Sequence, residues 1–131
     1  MRLTFLGKES DLGDSPTLYA TDRDTYVVQG WKITEEETAG QLSLADGETA
    51  VEVYARLLNH LAADGLQGTV ARHEAPIVQV KANGNYVIQG ARLVDEDARL
   101  QMAMPEHEDA VELPKSALTA LLEEQGATGH R

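Results

Sequence analysis

Apolar and polar positions alternate through residues 25–33, TYVVQGWKI, and the pattern returns at 85–93 as NYVIQGARL. A period of two sends successive side chains to opposite faces of a strand. One face carries Val27, Gln29, Trp31 and Ile33, matched by Val87, Gln89, Ala91 and Leu93; the other carries Tyr26, Val28, Gly30 and Lys32, matched by Tyr86, Ile88, Gly90 and Arg92. Both faces are apolar at one end, which predicts a central strand covered on each side. Short strands are predicted before it, at 17–21 and 77–81, each following a Pro, and after it at 50–54 (AVEVY) and 110–113 (AVEL).

The period changes elsewhere. Leu57, Leu58 and Leu61, and again Ala117, Leu118 and Leu121, recur at helical spacing, predicting helices over YARLLNHLAA and PKSALTALLEEQ, the latter with Pro114 at its start and Gly126 past its end. A short helix is predicted over ITEEETAGQL, where Thr34 and Glu37 have capping-box spacing; LVDEDARLQM keeps the acids and loses the Thr. Asn83-Gly84 predicts a type I′ hairpin turn, for which Arg23-Asp24 is the poorer counterpart, and Asp46-Gly47 marks a further turn.

Residues 15–62 align with 75–122 at a constant offset of sixty and without a gap. Thirteen of the 48 pairs are identical, among them Tyr26/Tyr86, Gln29/Gln89, Gly30/Gly90, Glu48/Glu108 and Glu52/Glu112, and Val28/Ile88 and Lys32/Arg92 exchange like for like. This predicts an α+β fold: a tandem duplication of a β-β-α-β-α unit, packed face to face as a pseudo-two-fold intramolecular dimer. A unit of about 50 residues buries too little apolar surface to stand alone. The expected organisation is one domain, 1–131, with an N-terminal segment 1–14, repeats 15–62 and 75–122, a linker 63–74 and a tail 125–131. Gln29 and Gln89 read as buried amides bonded to backbone or to each other, and Gly30 and Gly90 as a bulge or a close backbone approach.

The 22 Asp and Glu outnumber the 11 Lys and Arg, for a net charge of −11. A nucleic-acid binder needs a basic face to displace counterions, so neither direct nucleic-acid binding nor adhesion to an anionic membrane is expected. A basic protein surface is the natural complement, and solubility alone is the plainer reading. The absence of Cys excludes disulfides and thiolate metal sites. No apolar run approaches a signal peptide or the roughly 20 residues of a membrane span, so a cytoplasmic location is expected.

Catalytic signatures are absent: His60, His73, His107 and His130 are isolated, and no GxSxG, Walker or GxGxxG pattern occurs. No catalytic residue, metal ligand or cofactor is assigned. The candidate partner-binding residues are Trp31, Glu35, Glu36, Glu37, Asp95, Glu96 and Asp97. Trp31, opposite Ala91 in the alignment, reads either as core packing or as an exposed interface anchor. The acids also suit the first turn of a helix.

The stretch TFLGKESDLGDSPTLYATDRDTYVVQGWK, with the later VEV and its apolar helix, resembles small acidic proteins of streptomycetes and related actinobacteria, encoded beside helix-turn-helix regulators in the style of the BldB and AbaA developmental loci. Their third strand tends to read V-x-V-P; Val111-Glu112-Leu113-Pro114 fits, and Val51-Glu52-Val53-Tyr54 departs at the Pro. The resemblance implies a non-enzymatic accessory of a transcriptional regulator, arranged like a toxin–antitoxin pair. The duplication, for its part, predicts a monomer with a pseudo-dimeric core or a homodimer. Two rival expectations are a small-molecule or enzymatic domain using a cleft between the repeats lined by Tyr26 and Tyr86, and an acidic DNA mimic.

Overall fold

The computed structural model describes residues 1–9, 16–66 and 68–123. The fold is α+β, dominated by a seven-stranded antiparallel sheet with short helices. In chain order the elements are β1 (Leu3–Lys8), β2 (Thr17–Thr21), β3 (Thr25–Lys32), α1 (Glu36–Gly40), β4 (Glu48–Val53), a 3₁₀-helix (Ala55–Asp64), β5 (Thr69–Val70), β6 (Ile77–Val80), β7 (Tyr86–Arg92), α2 (Glu96–Leu100), β8 (Glu108–Pro114), α3 (Lys115–Thr119) and β9 (Leu122–Glu123). β5 and β9 form a separate two-stranded ladder. No helix among the described residues is long and apolar enough to cross a membrane.

The sheet runs β1-β2-β3-β4-β7-β6, and β8 pairs with both β3 and β7. Since β3 also pairs with β4, and β4 with β7, the four central strands close on themselves. The long ladders join the two halves of the chain. β3 pairs with β8 through Tyr26↔Leu113, Val28↔Val111 and Gln29↔Ala110, and β4 pairs with β7 through Val53↔Tyr86, Val51↔Ile88 and Ala50↔Gln89. Six of the seven pairs of the first ladder have a counterpart in the second, each position displaced by sixty. The expected face-to-face packing of two units is therefore replaced by interleaving, in which each half supplies strands to the other's ladder.

Closure depends on two glycines. A Cβ built on Gly30 would lie 2.6 Å from the Glu52 carbonyl oxygen and 2.7 Å from Val53 Cγ1; one on Gly90 would collide with Leu113 Cδ2 and stand 3.3 Å from the Glu112 oxygen. These are the places where β3 meets β4 and β7 meets β8, and a side chain at either would push the backbones apart.

Core packing covers both faces of β3. On one side Tyr26 and Val28 join Val51, Val53, Ile88, Val111 and Leu113 beneath Leu57, Leu58 and Leu61 of the 3₁₀-helix and Leu118 and Leu121 near α3. On the other, Val27 packs with Leu93, Ala98, Met102 and Ala110. The leucine spacing at 57–61 does mark a buried face, but the segment is wound as a 3₁₀-helix and not an α-helix.

Several local expectations change. The segment before residue 15 contains β1, which pairs with β2. The linker contains the end of the 3₁₀-helix and β5, and the last predicted helix stops at Thr119, giving way to β9; Gly126 and the tail lie outside the described residues. The hairpin at Asn83-Gly84 is not type I′, because only Gly84 has positive φ, at 90°. Gly84 N–H donates to Lys81 O at 2.8 Å and Lys81 N–H to Asn85 O at 2.8 Å, so three residues span the turn with the left-handed position last. Asp24, sixty residues earlier, holds the same position with φ of 60°. The Thr34 capping box does not form: Glu35 is the N-cap of α1 and makes no side-chain cap bond. Asp95 caps α2 in its place, accepting Ala98 N–H at 2.9 Å.

The two glycines differ in what surrounds them. Gly30→Ala drives a methyl into rigid backbone and is expected to cost about 2–3 kcal/mol, whereas Gly90→Ala meets the end of a movable leucine and should cost about 1 kcal/mol. Urea-unfolding midpoints of the two variants check the order; equal losses would mean that closure is not set by backbone approach.

Candidate functional site

The two glutamines of the central strands act as cross-links between the halves. Gln29 Nε2 donates to Ala103 O at 2.8 Å and to Glu108 Oε1 at 2.7 Å. Gln89 Nε2 donates to Ser43 O at 3.0 Å and to Glu48 Oε1 at 2.9 Å. Each amide thus bonds to backbone, as expected, but to a carboxylate of the opposite half and not to the other glutamine. The first bridge is fully buried. A second matched pair lies at the hairpins: Thr25 Oγ1 donates to Glu112 Oε2 at 2.7 Å, and Asn85 Nδ2 to Glu52 Oε2 at 2.8 Å. These contacts tie sheet to loops and leave the amides committed to structure.

Tyr26 and Tyr86 do not face each other across a cleft. Both belong to the main core. Tyr26 O–H donates to Asp64 Oδ2 at 2.7 Å, where Lys115 Nζ also donates at 2.9 Å. Burial foremost, then the bond to Asp64, pushes the Tyr26 hydroxyl well above the ordinary tyrosine range. The Lys115 bond foremost, then the Tyr26 bond, holds Asp64 below the usual carboxylate range. Tyr86 meets His73 Nε2 at 3.3 Å.

Trp31 is half-buried, and its ring meets Tyr54 edge-on with centroids 5.0 Å apart. The Arg56 guanidinium lies over the other aromatic, 4.1 Å from the Tyr54 centroid, and its Nε donates to Glu9, which also pairs with His60 Nε2 at 2.6 Å. The bond to His60 foremost, then that to Arg56, lowers the Glu9 carboxyl. Trp31 is therefore neither deep core nor a free anchor. Its counterpart by sequence is Ala91, and that of Tyr54 is Pro114, so the two large departures between the halves touch each other.

The candidate acids divide. Glu35 pairs with Lys81, which also reaches Glu52 at 3.1 Å. Asp95 pairs with Arg23 at 3.1 Å besides capping α2, and the cap bond foremost lowers its carboxyl. These two are structural. Glu36, Glu37, Glu96 and Asp97 stay exposed on the first turns of α1 and α2. Trp31 and these four do not converge on one another through any bond.

Two features escaped the sequence reading. The first is a pair of adjoining cavities of about 470 and 240 Å³ that share Lys32, Arg92 and Asp109. The matched cations at 32 and 92 were its only signal. The second is β6, beyond which no strand pairs among the described residues and where Val78 and Val80 are 41% and 42% exposed. Comparison with protein-family models, with curated proteins and with solved structures finds no match for this chain.

Two outcomes are expected from these contacts. A double-mutant cycle on Trp31→Ala and Tyr54→Ala should leave the fold intact and give a coupling of about 1 kcal/mol, in the range of edge-on aromatic pairs; coupling near zero would remove the contact. For pH, Asp64 is depressed in the folded state, so its contribution is present above the unfolded value of 3.8 and is lost as pH falls through the lowered folded value. Tyr26 is raised, so its contribution is present below the unfolded value of 10.0 and declines as pH rises beyond it. The stability gap between wild type and Asp64→Asn should therefore be constant at neutral pH and shrink in acid, read by urea unfolding at each pH; a gap that widens in acid reverses the assignment.

Proposed function

We propose that residues 15–62 and 75–122 are tandem copies of one β-β-α-β-α unit, arranged about a pseudo-two-fold axis, and that the chain is a non-enzymatic interaction module for a basic protein partner. The duplication reading is supported by the matched registers of β3–β8 and β4–β7 and by the paired glutamine bridges. A helix-turn-helix regulator is the partner class to which the sequence resemblance points.

The observation that carries the interaction reading is the open edge of β6. In the first half, β1 covers the outer edge of β2. In the second half the equivalent residues, from 63 to 66, finish the 3₁₀-helix and its left-handed cap at Gly65, and no described strand lies beyond β6. An uncovered edge offers unpaired backbone groups to an extended segment, with alternate side chains giving selectivity. Val78 and Val80 supply apolar contacts there. Two copies of a chain of charge −11 repel each other at such an edge, so an extended segment bearing Lys and Arg is the fitting occupant.

The test is titration calorimetry of this protein against the helix-turn-helix regulator encoded beside its gene. Wild type should bind, with affinity falling as salt is raised. The double variant Val78→Asp, Val80→Asp adds acid yet spoils the edge, and should lose affinity at least tenfold. An unchanged or higher affinity would show that charge alone recruits the partner. No binding at physiological salt would overturn the regulator assignment.

A further inference from the structure

Lys32 and Arg92 occupy equivalent places at the ends of β3 and β7, and the two adjoining cavities meet between them. One limb, about 470 Å³, is polar and sets Lys32, Arg92 and Arg99 beside three carboxylates, Glu96, Glu108 and Asp109. The other, about 240 Å³, is lined by Ile33, Ala39, Leu42, Leu44 and Ala50. Three of the eleven basic side chains of an acidic protein thus gather at one groove, beside an aliphatic slot.

The cations differ in how they are held. Asp109, whose side chain is 7% exposed, accepts Arg92 Nε at 3.0 Å and stands 3.7 Å from Arg99 Nη1. Its other contact is the Ala110 N–H, at 2.9 Å to Oδ1. Arg99 Nη1 also donates to Leu93 O at 2.6 Å, and Arg92 Nη2 lies 3.5 Å from Thr49 Oγ1. Asp109 therefore holds Arg92 by a hydrogen bond and Arg99 by a looser ion pair, while Leu93 O anchors Arg99. Lys32 forms no ion pair among the described residues, and it borders both limbs.

We infer that this groove binds a small amphipathic carboxylate, its head group held by Lys32 and Arg92 and its aliphatic chain laid along Ile33, Leu42 and Leu44. A guanidinium held through Nε by a buried carboxylate keeps its other donors for a second carboxylate, and the neighbouring Lys32 ammonium makes no ion pair among the described residues. The apolar limb selects for a tail: Leu44 is a large aliphatic side chain left 45% exposed at its rim. The smaller limb, an apolar concavity with a few polar groups at its mouth, has the usual form of a small-molecule site. Negative charge over the remaining surface works against any anion that cannot also bury a tail, which excludes short inorganic anions as good ligands.

Titration calorimetry with sodium octanoate, at low and physiological salt, tests the assignment. Saturable one-to-one binding is expected, with acetate and octanol each weaker at least tenfold. Lys32→Gln, at an exposed residue without an ion pair, should keep the wild-type circular dichroism and lose at least tenfold in octanoate affinity. Leu44→Asp should lose octanoate binding to a similar extent. Octanol binding as tightly as octanoate would show an apolar slot without carboxylate recognition and overturn the proposal. So would unsaturable uptake of octanoate, or an affinity that survives both substitutions.

Discussion

Backbone crossing at Gly30 and Gly90 is the constraint on which the rest of the structure depends. With a Cβ at Gly30 aimed at a carbonyl oxygen 2.6 Å away, β3 and β4 could not come close enough to share a ladder. Without that ladder the ring β3-β4-β7-β8 would open, and an open sheet of this size leaves both of its hydrophobic surfaces to be covered by very little helix. The described helices are short, the α-helices having five residues each. Closure substitutes for helical cover, because strands facing one another across a ring bury each other's side chains.

Polar groups finish what the glycines permit. Gln29 sits among side chains with almost no access to water, and a buried amide without partners would be costly. Its Nε2 has two acceptors, while its Oε1 has no donor among the described residues. The matching bridge from Gln89 to Glu48 is more open to solvent. The same chemical device therefore works at two depths, and the buried copy is the one on which specificity of strand pairing rests.

What could be read from the residues follows from which forces are local. Alternation at 25–33 and 85–93 reports burial on both sides of a strand, so the central strands, and the leucine faces at 57–61 and 118–121, were legible. Winding was not: a 3₁₀ and an α turn place Leu57, Leu58 and Leu61 on nearly the same face, and only hydrogen bonding separates them. The capping expectation at Thr34 failed because α1 begins one residue later, with Glu35 at its N-cap; in α2 the equivalent position holds Asp95, whose shorter side chain does cap. The interleaving of halves was invisible, since identical patterns cannot say whether a strand pairs within its own half or across to the other. Trp31 and Tyr54 could be understood only together, because each departs from its counterpart in a way that the other accommodates. The groove at Lys32 and Arg92 joins residues sixty apart, and pairing in space decides that.

Interleaving also imposes an order in time. A ribosome releases β3 early, yet its longest ladder is with β8, which lies about eighty residues further along the chain. Until that stretch emerges, β3 has β2 on one side and, on the other, only the short contact of Trp31 and Lys32 with β4. The two long ladders that join the halves therefore wait until β7 and β8 have been made, and contacts so distant in sequence form slowly. For this protein the vulnerable period is the interval on the ribosome, when its first half is whole in sequence but has nothing yet to close upon.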